Sequence, residues 1–406
     1  MSFIAPFRAL RPVPDVAARV ASVPYDVVSA DEARALAAGE PLSFLHVTRS
    51  EIDLPAGTSP YADEVYERAA ANFERLQQAA PLLRDREPSL YVYRLRMGSH
   101  EQTGVAGVFS LDEYEHGLIK KHEKTRKDKE DDRTRHIVRT AAQTGVVFLT
   151  FRRLPAIESA LAKATVGPPL YDFTAPDGVV HQVWRVTGAD TEPLVRAFQK
   201  APALYIADGH HRAASAARAK DELARTGRPA PGASRFLAVA FSDAAVQILP
   251  YNRTVKDLAG QTPQMFLAAL DRLGMTATPG TATPQRPGDV SMFLDGRWYG
   301  FRLPPPDAGA SRDEKLDVET LQRRVLGPLL QVGDPRTDKR IDFVGGIRGT
   351  DELERLVGTG QAAVAFALHA VGIDDLMAIA DAGGIMPPKS TWFEPKLRDG
   401  LLVHLL

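Results

Sequence analysis

Two histidines and an arginine directly follow a glycine in the stretch Asp208-Gly209-His210-His211-Arg212. The apolar residues 204–207 before it predict a short buried strand, and the alanine-rich residues after it predict a helix. The first turn of a helix presents unpaired backbone N–H groups and the positive end of the helix dipole. Gly209 would let the backbone approach an anion closely. With a guanidinium and two imidazoles added, the stretch predicts a phosphate-binding site.

Asp208 can serve this site in several ways, because a carboxylate can orient a histidine, hold a cation such as Mg²⁺, or accept a proton. The alternative interpretation is structural: Asp208 caps the helix and the histidines are half-exposed surface groups. Adjacent residues of a helix diverge by about 100°, so His210 and His211 are poorly placed to share one metal ion.

A dense run of charges at 120–136 is the second candidate for chemistry. Such runs often form a solvated helix with ion pairs between residues four apart. The functional alternative is a mobile basic arm, 118–139, that closes over an anionic ligand with four side chains turned inward: His122, Glu123, Lys127 and Arg133. A carboxylate among cations stays ionised, which would suit Glu123 as a general base or metal ligand.

The elements that must position these residues alternate between strands and helices along the chain. This alternation predicts an α/β or α+β fold with mixed sheets, built around the strand, turn and helix of the motif. A helix is expected at 61–79, and a strand pair at 89–95 and 103–111. The 406 residues suffice for two or three domains. We place an N-terminal α/β part at 1–150, a core with the motif at 151–255, and a C-terminal α/β part at 256–406, and one sheet could run through several of them.

Composition narrows the class of protein. With 50 basic and 51 acidic residues the net charge is -1, which disfavours a nucleic-acid partner. The absence of cysteine excludes disulfides and thiolate catalysis. No signal-peptide pattern or membrane-spanning apolar run is seen, so we expect a cytoplasmic protein with no membrane partner. The apolar tail 385–406 is expected to dock in the sheet, with Lys389 at a sheet edge or in a cleft.

In its sequence blocks the chain resembles a family of uncharacterised bacterial and archaeal proteins often described as ParB-like. The blocks span the chain: Pro24-Tyr25-Asp26, His122-Glu123-x-Thr125, Asp132-Arg133, Asp208 to Arg212, Pro250-Tyr251-Asn252-Arg253, Leu316-Asp317-Val318 and Met386-Pro387-Pro388-Lys389-Ser390-Thr391. The central motif is also similar to the phosphate-binding turn of the ParB/sulfiredoxin superfamily, which includes ParB CTPases, sulfiredoxins and free-serine kinases.

The departures from these relatives decide what the resemblance implies. Sulfiredoxins carry Gly-Cys-His-Arg, and His210 stands where their cysteine would be, which excludes their thiol chemistry. ParB proteins carry an arginine-rich version of the motif followed by a helix-turn-helix DNA-binding domain, and neither that domain nor a basic surplus is seen in this sequence. Free-serine kinases carry Asp-Gly-His-x-Arg, which this motif reproduces. The resemblance thus implies nucleotide-dependent phosphoryl transfer to a small hydroxylated metabolite.

In this kinase hypothesis, Mg²⁺ and ATP, ADP or CTP are the cofactors. Asp208, Glu123 and His211 are the catalytic candidates, with Asp208 also the candidate magnesium ligand. The phosphate and nucleotide are assigned to Gly209, His210, Arg212, His122, Lys127, Arg133 and Lys389. Two alternatives stay open: a nucleotide-binding switch or adaptor, and a nucleotide hydrolase or phosphatase using a histidine or metal-bound water. A homodimer is among the assemblies considered.

Overall fold

The computed structural model describes residues 3–79, 81–228 and 230–406. These residues form two compact units. The first unit runs to Val246 and includes the returning C-terminal segment Pro395–Leu406, and the second is Gln247–Glu394. The predicted three-part division stays a prediction, although strands from its first two parts do share one sheet.

The strands vary from two to eleven residues in length. In chain order they are β1 (Ile4–Ala5), β2 (Leu10–Pro12), β3 (Leu82–Arg84), β4 (Ser89–Met97), β5 (His100–Ser110), β6 (Ile119–Lys120), β7 (Ala142–Gln143), β8 (Val147–Phe151), β9 (Tyr171–Thr174), β10 (Val180–Thr187), β11 (Leu204–Asp208), β12 (Arg235–Ser242), β13 (Gln247–Leu249), β14 (Tyr251–Val255), β15 (Thr278–Pro279), β16 (Asp289–Leu294), β17 (Arg297–Arg302), β18 (Ile341–Gly345), β19 (Val364–Leu368), β20 (Trp392–Glu394) and β21 (His404–Leu405).

The α-helices lie between these strands. In chain order they are α1 (Ala17–Val20), α2 (Ala30–Ala37), α3 (Leu45–Thr48), α4 (Asp63–Ala79), α5 (Leu111–Glu115), α6 (Lys127–Thr140), α7 (Pro155–Ala164), α8 (Thr191–Phe198), α9 (His210–Arg225), α10 (Pro263–Arg272), α11 (Asp317–Leu321), α12 (Gly327–Leu330), α13 (Asp351–Gly358) and α14 (Ile373–Asp381). Within the described ranges, no helix has the length and apolarity needed to cross a bilayer.

A nine-stranded sheet forms the centre of the first unit. Its order is β6-β11-β8-β12-β5-β4-β10-β9, with β1 paired to β5. The pairs β6–β11 and β8–β12 are parallel and the others are antiparallel, so the predicted mixed α/β fold is confirmed. Apolar side chains of these strands and of α8 and α9 form one core. This sheet fixes where the motif lies.

Local sequence explains the elements that carry the motif. Leu204, Tyr205 and Ile206 are fully buried apolar residues, as expected of a central strand. The alanines of α9 give it high helix propensity and let it lie close to the sheet. The predicted strand, turn and helix are therefore confirmed, as are the helix at 61–79, observed as α4, and the hairpin formed by β4 and β5.

The charged run folds as helix α6, packed against α4 and α9 rather than extended as a separate arm. Most polar groups of its inner face have partners, although the buried Thr134 hydroxyl has none within the described residues. Tyr66 donates to Asp132 Oδ1 at 2.8 Å, and His136 Nε2 lies 2.9 Å from the Val47 carbonyl. Arg218 of α9 forms ion pairs with Glu130 and Asp131. These partners allow one face of such a charged helix to be buried, because buried polar groups are costly unless they are paired.

The second unit contains a six-stranded sheet in the order β15-β17-β16-β19-β14-β18. All its neighbouring strands are antiparallel. Separately, β13 pairs with β20, so the predicted docking of the tail begins with a strand pair in this unit. The final strand β21 belongs to the first unit and pairs there with β7. The tail is therefore docked, but in two-stranded sheets rather than in either large sheet.

Candidate functional site

Two parallel strands bring the motif and the charged segment together. Leu204 of β11 lies opposite Ile119 of β6, and the strands run in the same direction. Because parallel strands end at the same edge of a sheet, the residues that follow them, 208–212 and 121–126, lie side by side. The sequence alone did not show that these two segments lie together, and the parallel pairing of β6 and β11 shows that they do.

The start of α9 carries no side-chain cap. Gly209 precedes it with φ 96° and ψ 32°, a left-handed conformation that glycine adopts without strain. A Cβ at this position would lie 3.0 Å from Cζ of Arg212, so the glycine also makes room for the guanidinium. Asp208 is not the helix cap, and the alternative interpretation that gave it this role is wrong. The first-turn N–H groups retain the positive end of the dipole.

Both motif histidines hold the neighbouring segment in place. The His122 N–H donates to His210 Nε2 at 3.4 Å, and the Arg126 N–H donates to His211 Nε2 at 3.0 Å. A ring nitrogen that accepts a hydrogen bond carries no proton, so the neutral tautomer of each ring has its proton on Nδ1. The segment between β6 and α6 is thereby fixed to the helix start.

Burial keeps two of these imidazoles uncharged. His122 and His210 are buried, and their ring centroids lie 4.4 Å apart. Burial lowers the pKa of His122 to about 4. Burial and the adjacent His122 ring also hold the pKa of His210 well below its ordinary value. His210 can therefore offer a phosphate an N–H donor at neutral pH, but no positive charge.

Arg212 lies beneath the helix start, only 6% exposed. It donates to the Val146 carbonyl, and its Nη2 lies 3.3 Å from Asp26 Oδ2 and 3.4 Å from Asp208 Oδ2. Burial alone would lower its pKa, but the charges of Asp26 and Asp208 outweigh that effect and raise it. Arg212 Nε is buried and has no hydrogen-bond partner within the described chain. A direct phosphate contact would have to use this nitrogen or the second N–H of Nη1, or replace an existing partner.

Asp208 is held as a carboxylate. Lys396 Nζ lies 3.1 Å from its Oδ2, on the side chain that Arg212 also approaches. Burial would raise the pKa of Asp208, but Lys396 and then Arg212 reverse that effect and hold the pKa well below its usual range. Such a group is a poor proton acceptor and a good partner for a cation.

Sequence reasoning missed two residues of the returning C-terminal segment, Lys396 and Asp399. Asp399 is 1% exposed, and its Oδ1 accepts the Val146 N–H at 3.3 Å. Burial raises the pKa of Asp399 to about 7, against the opposing charge of Arg212. Arg398-Asp399-Gly400 has the composition of a surface turn, so its sequence carried no signal of a buried carboxyl.

A pocket of about 270 Å³ opens beside the start of α9. His210, Ala214, Ala217 and Arg218 line it from one face of the helix, and Lys121, Glu123 and Thr125 line it from the neighbouring segment. Glu123 Oε2 lies 3.8 Å from His210 Nδ1, too far for a direct hydrogen bond. The pocket thus joins two carboxylates, Glu123 and Glu130, with two cationic side chains and an uncapped helix start.

Among the predicted site residues, Glu123 and His210 line this pocket. Neighbouring positions outside its lining hold His122, Asp208, Gly209, His211 and Arg212, and the other three predicted residues lie elsewhere. Arg133 is turned inward, where it stacks on Tyr25 at 4.2 Å and bonds Asp132 Oδ2 at 2.9 Å, but it does not line this pocket. Lys127 is exposed at the first residue of α6 and is not turned inward. Lys389 belongs to the second unit, where its Nζ lies 5.6 Å from the centre of the Tyr251 ring.

Metal-binding side chains do not converge at the site: over the described ranges, no three or more histidine, aspartate or glutamate residues are grouped so as to hold a metal ion. Mg²⁺ in nucleotide-dependent enzymes is usually held by one or two carboxylates together with the phosphates. Asp208 fits that smaller requirement, because it is ionised and about a quarter exposed.

The chain is a member of the family described as "Protein of unknown function (DUF1015)", whose sequence pattern matches residues 4–324. No curated protein matches it.

Among solved structures, three similar ones cover 74% of this chain each. A conserved hypothetical protein from Pyrococcus furiosus is 15% identical, with a TM-score of 0.36 and 95% of its chain covered. A free serine kinase in complex with AMP is 13% identical, with a TM-score of 0.38 and 92% covered. C-terminally truncated SbnI from Staphylococcus aureus is 12% identical, with a TM-score of 0.40 and 87% covered.

Proposed function

We propose that the start of α9 binds the phosphates of a nucleotide and that the pocket beside it transfers a phosphoryl group to a small hydroxylated metabolite. The observation that carries this proposal is the convergence of Glu123 with the uncapped N-terminus of α9 on one pocket. An anion cradle alone would serve a binding protein. A carboxylate facing the same space supplies what a transfer reaction also needs.

The pocket offers distinct places for the parts of a nucleotide. Phosphates would accept hydrogen bonds from the first-turn N–H groups and from His210 Nδ1–H, and Lys121 would balance part of their charge. Arg218 would add to this only by leaving Glu130 and Asp131, with which it is paired. Ala214 and Ala217 are small and leave room along the helix for the nucleoside. Asp26, Asp208 and Val146 hold Arg212 below this surface, so we assign it the role of fixing the helix start and its potential.

In the proposed reaction, Glu123 accepts the proton of the substrate hydroxyl as that oxygen attacks the terminal phosphorus. The new O–P bond forms as the bond to the leaving nucleotide oxygen breaks, and the electron pair leaves with the shortened nucleotide. Asp208 is the better candidate for Mg²⁺, because its low pKa makes it a weak base. His210 and His211 hold the Glu123 segment in register by accepting the His122 and Arg126 N–H groups.

The other predicted residues receive smaller roles in this proposal. Arg133 supports the site from below through Asp132 and Tyr25. Lys127, exposed at the start of α6, could meet the nucleotide only as a solvated cation. No role is assigned here to Lys389, which belongs to the second unit.

A nucleotide-binding switch is the second candidate, and one specific observation favours it. The two hydrogen bonds from His122 and Arg126 couple the position of the 122–126 segment to the same helix start that would bind phosphate. A ligand that displaced either imidazole would release this segment. A switch of this kind needs the anion site but not Glu123 as a base.

A binding assay combined with a turnover assay separates these functions. ATP, ADP and CTP are titrated with and without Mg²⁺, and serine and other hydroxylated metabolites are then offered as acceptors. For an enzyme, Glu123→Gln should bind nucleotide within about twofold of the parent but lose about 100-fold or more in turnover, the usual contribution of a general base. Glu115→Gln is the matched control, because Glu115 pairs with Lys220 outside the pocket.

The outcomes are distinct. Normal turnover by Glu123→Gln would exclude that residue as the base, and binding with no turnover in any mixture would favour the switch. Arg212→Lys should weaken nucleotide binding at least tenfold, because an ammonium cannot hold Val146, Asp26 and Asp208 together. Arg139→Lys, at an exposed pair with Glu67, should not. Unchanged nucleotide binding by folded Arg212→Lys would contradict the proposed phosphate site.

A further inference from the structure

A second cavity lies entirely within the second unit. Its volume is about 440 Å³, within the range of about 300–1,000 Å³ that small-molecule sites occupy. Its walls come from β14, β18, the segments 313–322 and 333–336, and the loop 385–388. The kinase proposal makes no use of this cavity.

Arg253 of β14 lines the cavity with a charge that the described chain does not neutralise. The side chain is 3% exposed and donates to the carbonyls of Tyr251, Lys389 and Pro388, the last two at 3.0 and 3.4 Å. Carbonyl oxygens satisfy N–H donors but carry no net charge, and no carboxylate pairs with Arg253 within the described ranges. Burial lowers its pKa to about 10, so it is protonated at neutral pH. Buried charges are normally paired, and here a bound anion would complete the pair.

The rest of the lining selects among anions. Arg336 is the other guanidinium that lines the cavity. Four carboxylates also line it: Asp313, Glu314, Glu319 and Asp334. Counting Arg253, the lining has two more negative than positive groups, which opposes a phosphate or other polyanion. A ligand with one carboxylate and one ammonium group would match both parts of this lining.

The backbone around the cavity is irregular in three places. A π-helical turn spans Gln322–Leu326, and Gln322 Nε2 holds the facing wall by donating to the Val332 and Gly333 carbonyls at 3.0 and 3.1 Å. Gln331 and Lys389 have φ of 54° and 57°, unusual for residues with a Cβ. Such irregularities collect at ligand sites, where the surrounding structure must maintain them.

From the cavity, its uncompensated guanidinium and its acidic lining, we propose that the second unit binds a small zwitterion of the amino-acid type. The carboxylate of the ligand pairs with Arg253, and its ammonium group faces the acidic side of the cavity around Glu319. This site does not depend on the nucleotide site of the first unit.

Calorimetric titration of the full chain with the twenty free L-amino acids tests the proposal. For each amino acid that binds, the matched amine without the carboxyl group and the matched acid without the amino group are titrated as well. We expect at least one amino acid to bind, and each matched analogue to lose tenfold or more in affinity. Arg253→Lys should lose tenfold or more because an ammonium cannot keep the three carbonyl contacts and also pair with the ligand carboxylate, and Arg355→Lys, at the exposed pair with Glu352, should not.

Two further variants keep the test decisive if Arg253→Lys fails to fold. Glu319→Gln should weaken amino-acid binding by about threefold or more, whereas Glu352→Gln, at the exposed pair with Arg355 outside the cavity, should leave it unchanged. No binding of any amino acid at millimolar concentration to the folded parent chain would overturn the proposal. So would equal binding of the amine analogues, or undiminished binding by a folded Arg253→Lys.

Discussion

Asp399→Asn is expected to change how the stability of the first unit depends on pH. Asp399 is buried with one oxygen on the Val146 N–H, and its other oxygen has no partner among the residues described. Burial raises its pKa from the usual 3.8 to about 7. Between these two values the folded chain keeps a proton on Asp399 that the unfolded chain has released. The free energy of unfolding therefore falls as pH rises.

The size of the effect follows from the pKa difference. One pKa unit corresponds to about 1.4 kcal/mol, so ionising Asp399 in the folded chain costs about 4 kcal/mol over the whole interval. From pH 5 to pH 7 the free energy of unfolding of the parent should fall by about 2 kcal/mol through this group alone, since the slope halves where pH equals the folded pKa. Asparagine has nearly the same shape and no proton to release, so the variant should not show this loss.

Urea unfolding of parent and variant at pH 5, 6, 7 and 8 measures the difference. Hydrogen exchange in peptides that cover β8 assigns the transition to the first unit. The stability of Asp399→Asn relative to the parent should rise by about 2 kcal/mol between pH 5 and pH 7 and level off by pH 8. Asp15→Asn, at an exposed residue of the same unit, should follow the parent. Parallel curves for Asp399→Asn and the parent would refute the buried, protonated carboxyl.

Three more outcomes follow from the site. Gly209→Ala should lower the free energy of unfolding by about 1–3 kcal/mol, because the positive φ of Gly209 and the 3.0 Å approach to Arg212 both oppose a Cβ. In the same urea titration Gly227→Ala, which has open space around it, should lower the free energy of unfolding by about 1 kcal/mol. Burial lowers the pKa of His122 from 6.5 to about 4. The free energy of unfolding of the parent should therefore fall by about 3 kcal/mol as pH falls from 6.5 to 4, and that of His122→Gln should fall less over the same interval. Lys396→Met should lower stability by about 1–2 kcal/mol at pH 7, since it removes the main partner of a partly exposed carboxylate, and full parental stability would contradict that pairing.

Local patterns predicted the strand, turn and helix of the motif because each depends on residues close in sequence. The apolar run of β11, the glycine and the alanines of α9 were sufficient. The position of the charged run beside the motif was not predictable from charge, because it depends on the parallel pairing of two short strands.

The contacts that complete the site join distant parts of the chain. Asp26 meets Arg212 across 186 positions, and Lys396 meets Asp208 across 188. Asp399 reaches Val146 across 253 positions. No periodicity or motif spacing reports such distances. The pKa values of Asp208 and Asp399, which decide their roles, depend on these same contacts and so were equally hidden.

Amide NMR spectra of chain labelled with ¹⁵N at glycine and histidine, recorded during titration with ATP, ADP or CTP, locate the nucleotide directly. Phosphate binding at the start of α9 should shift the N–H signals of Gly209, His210 and His211 with one saturating curve, and Arg212→Lys should weaken that curve at least tenfold. A nucleotide that binds the chain, by calorimetry, and leaves these three signals unmoved would contradict the proposed site.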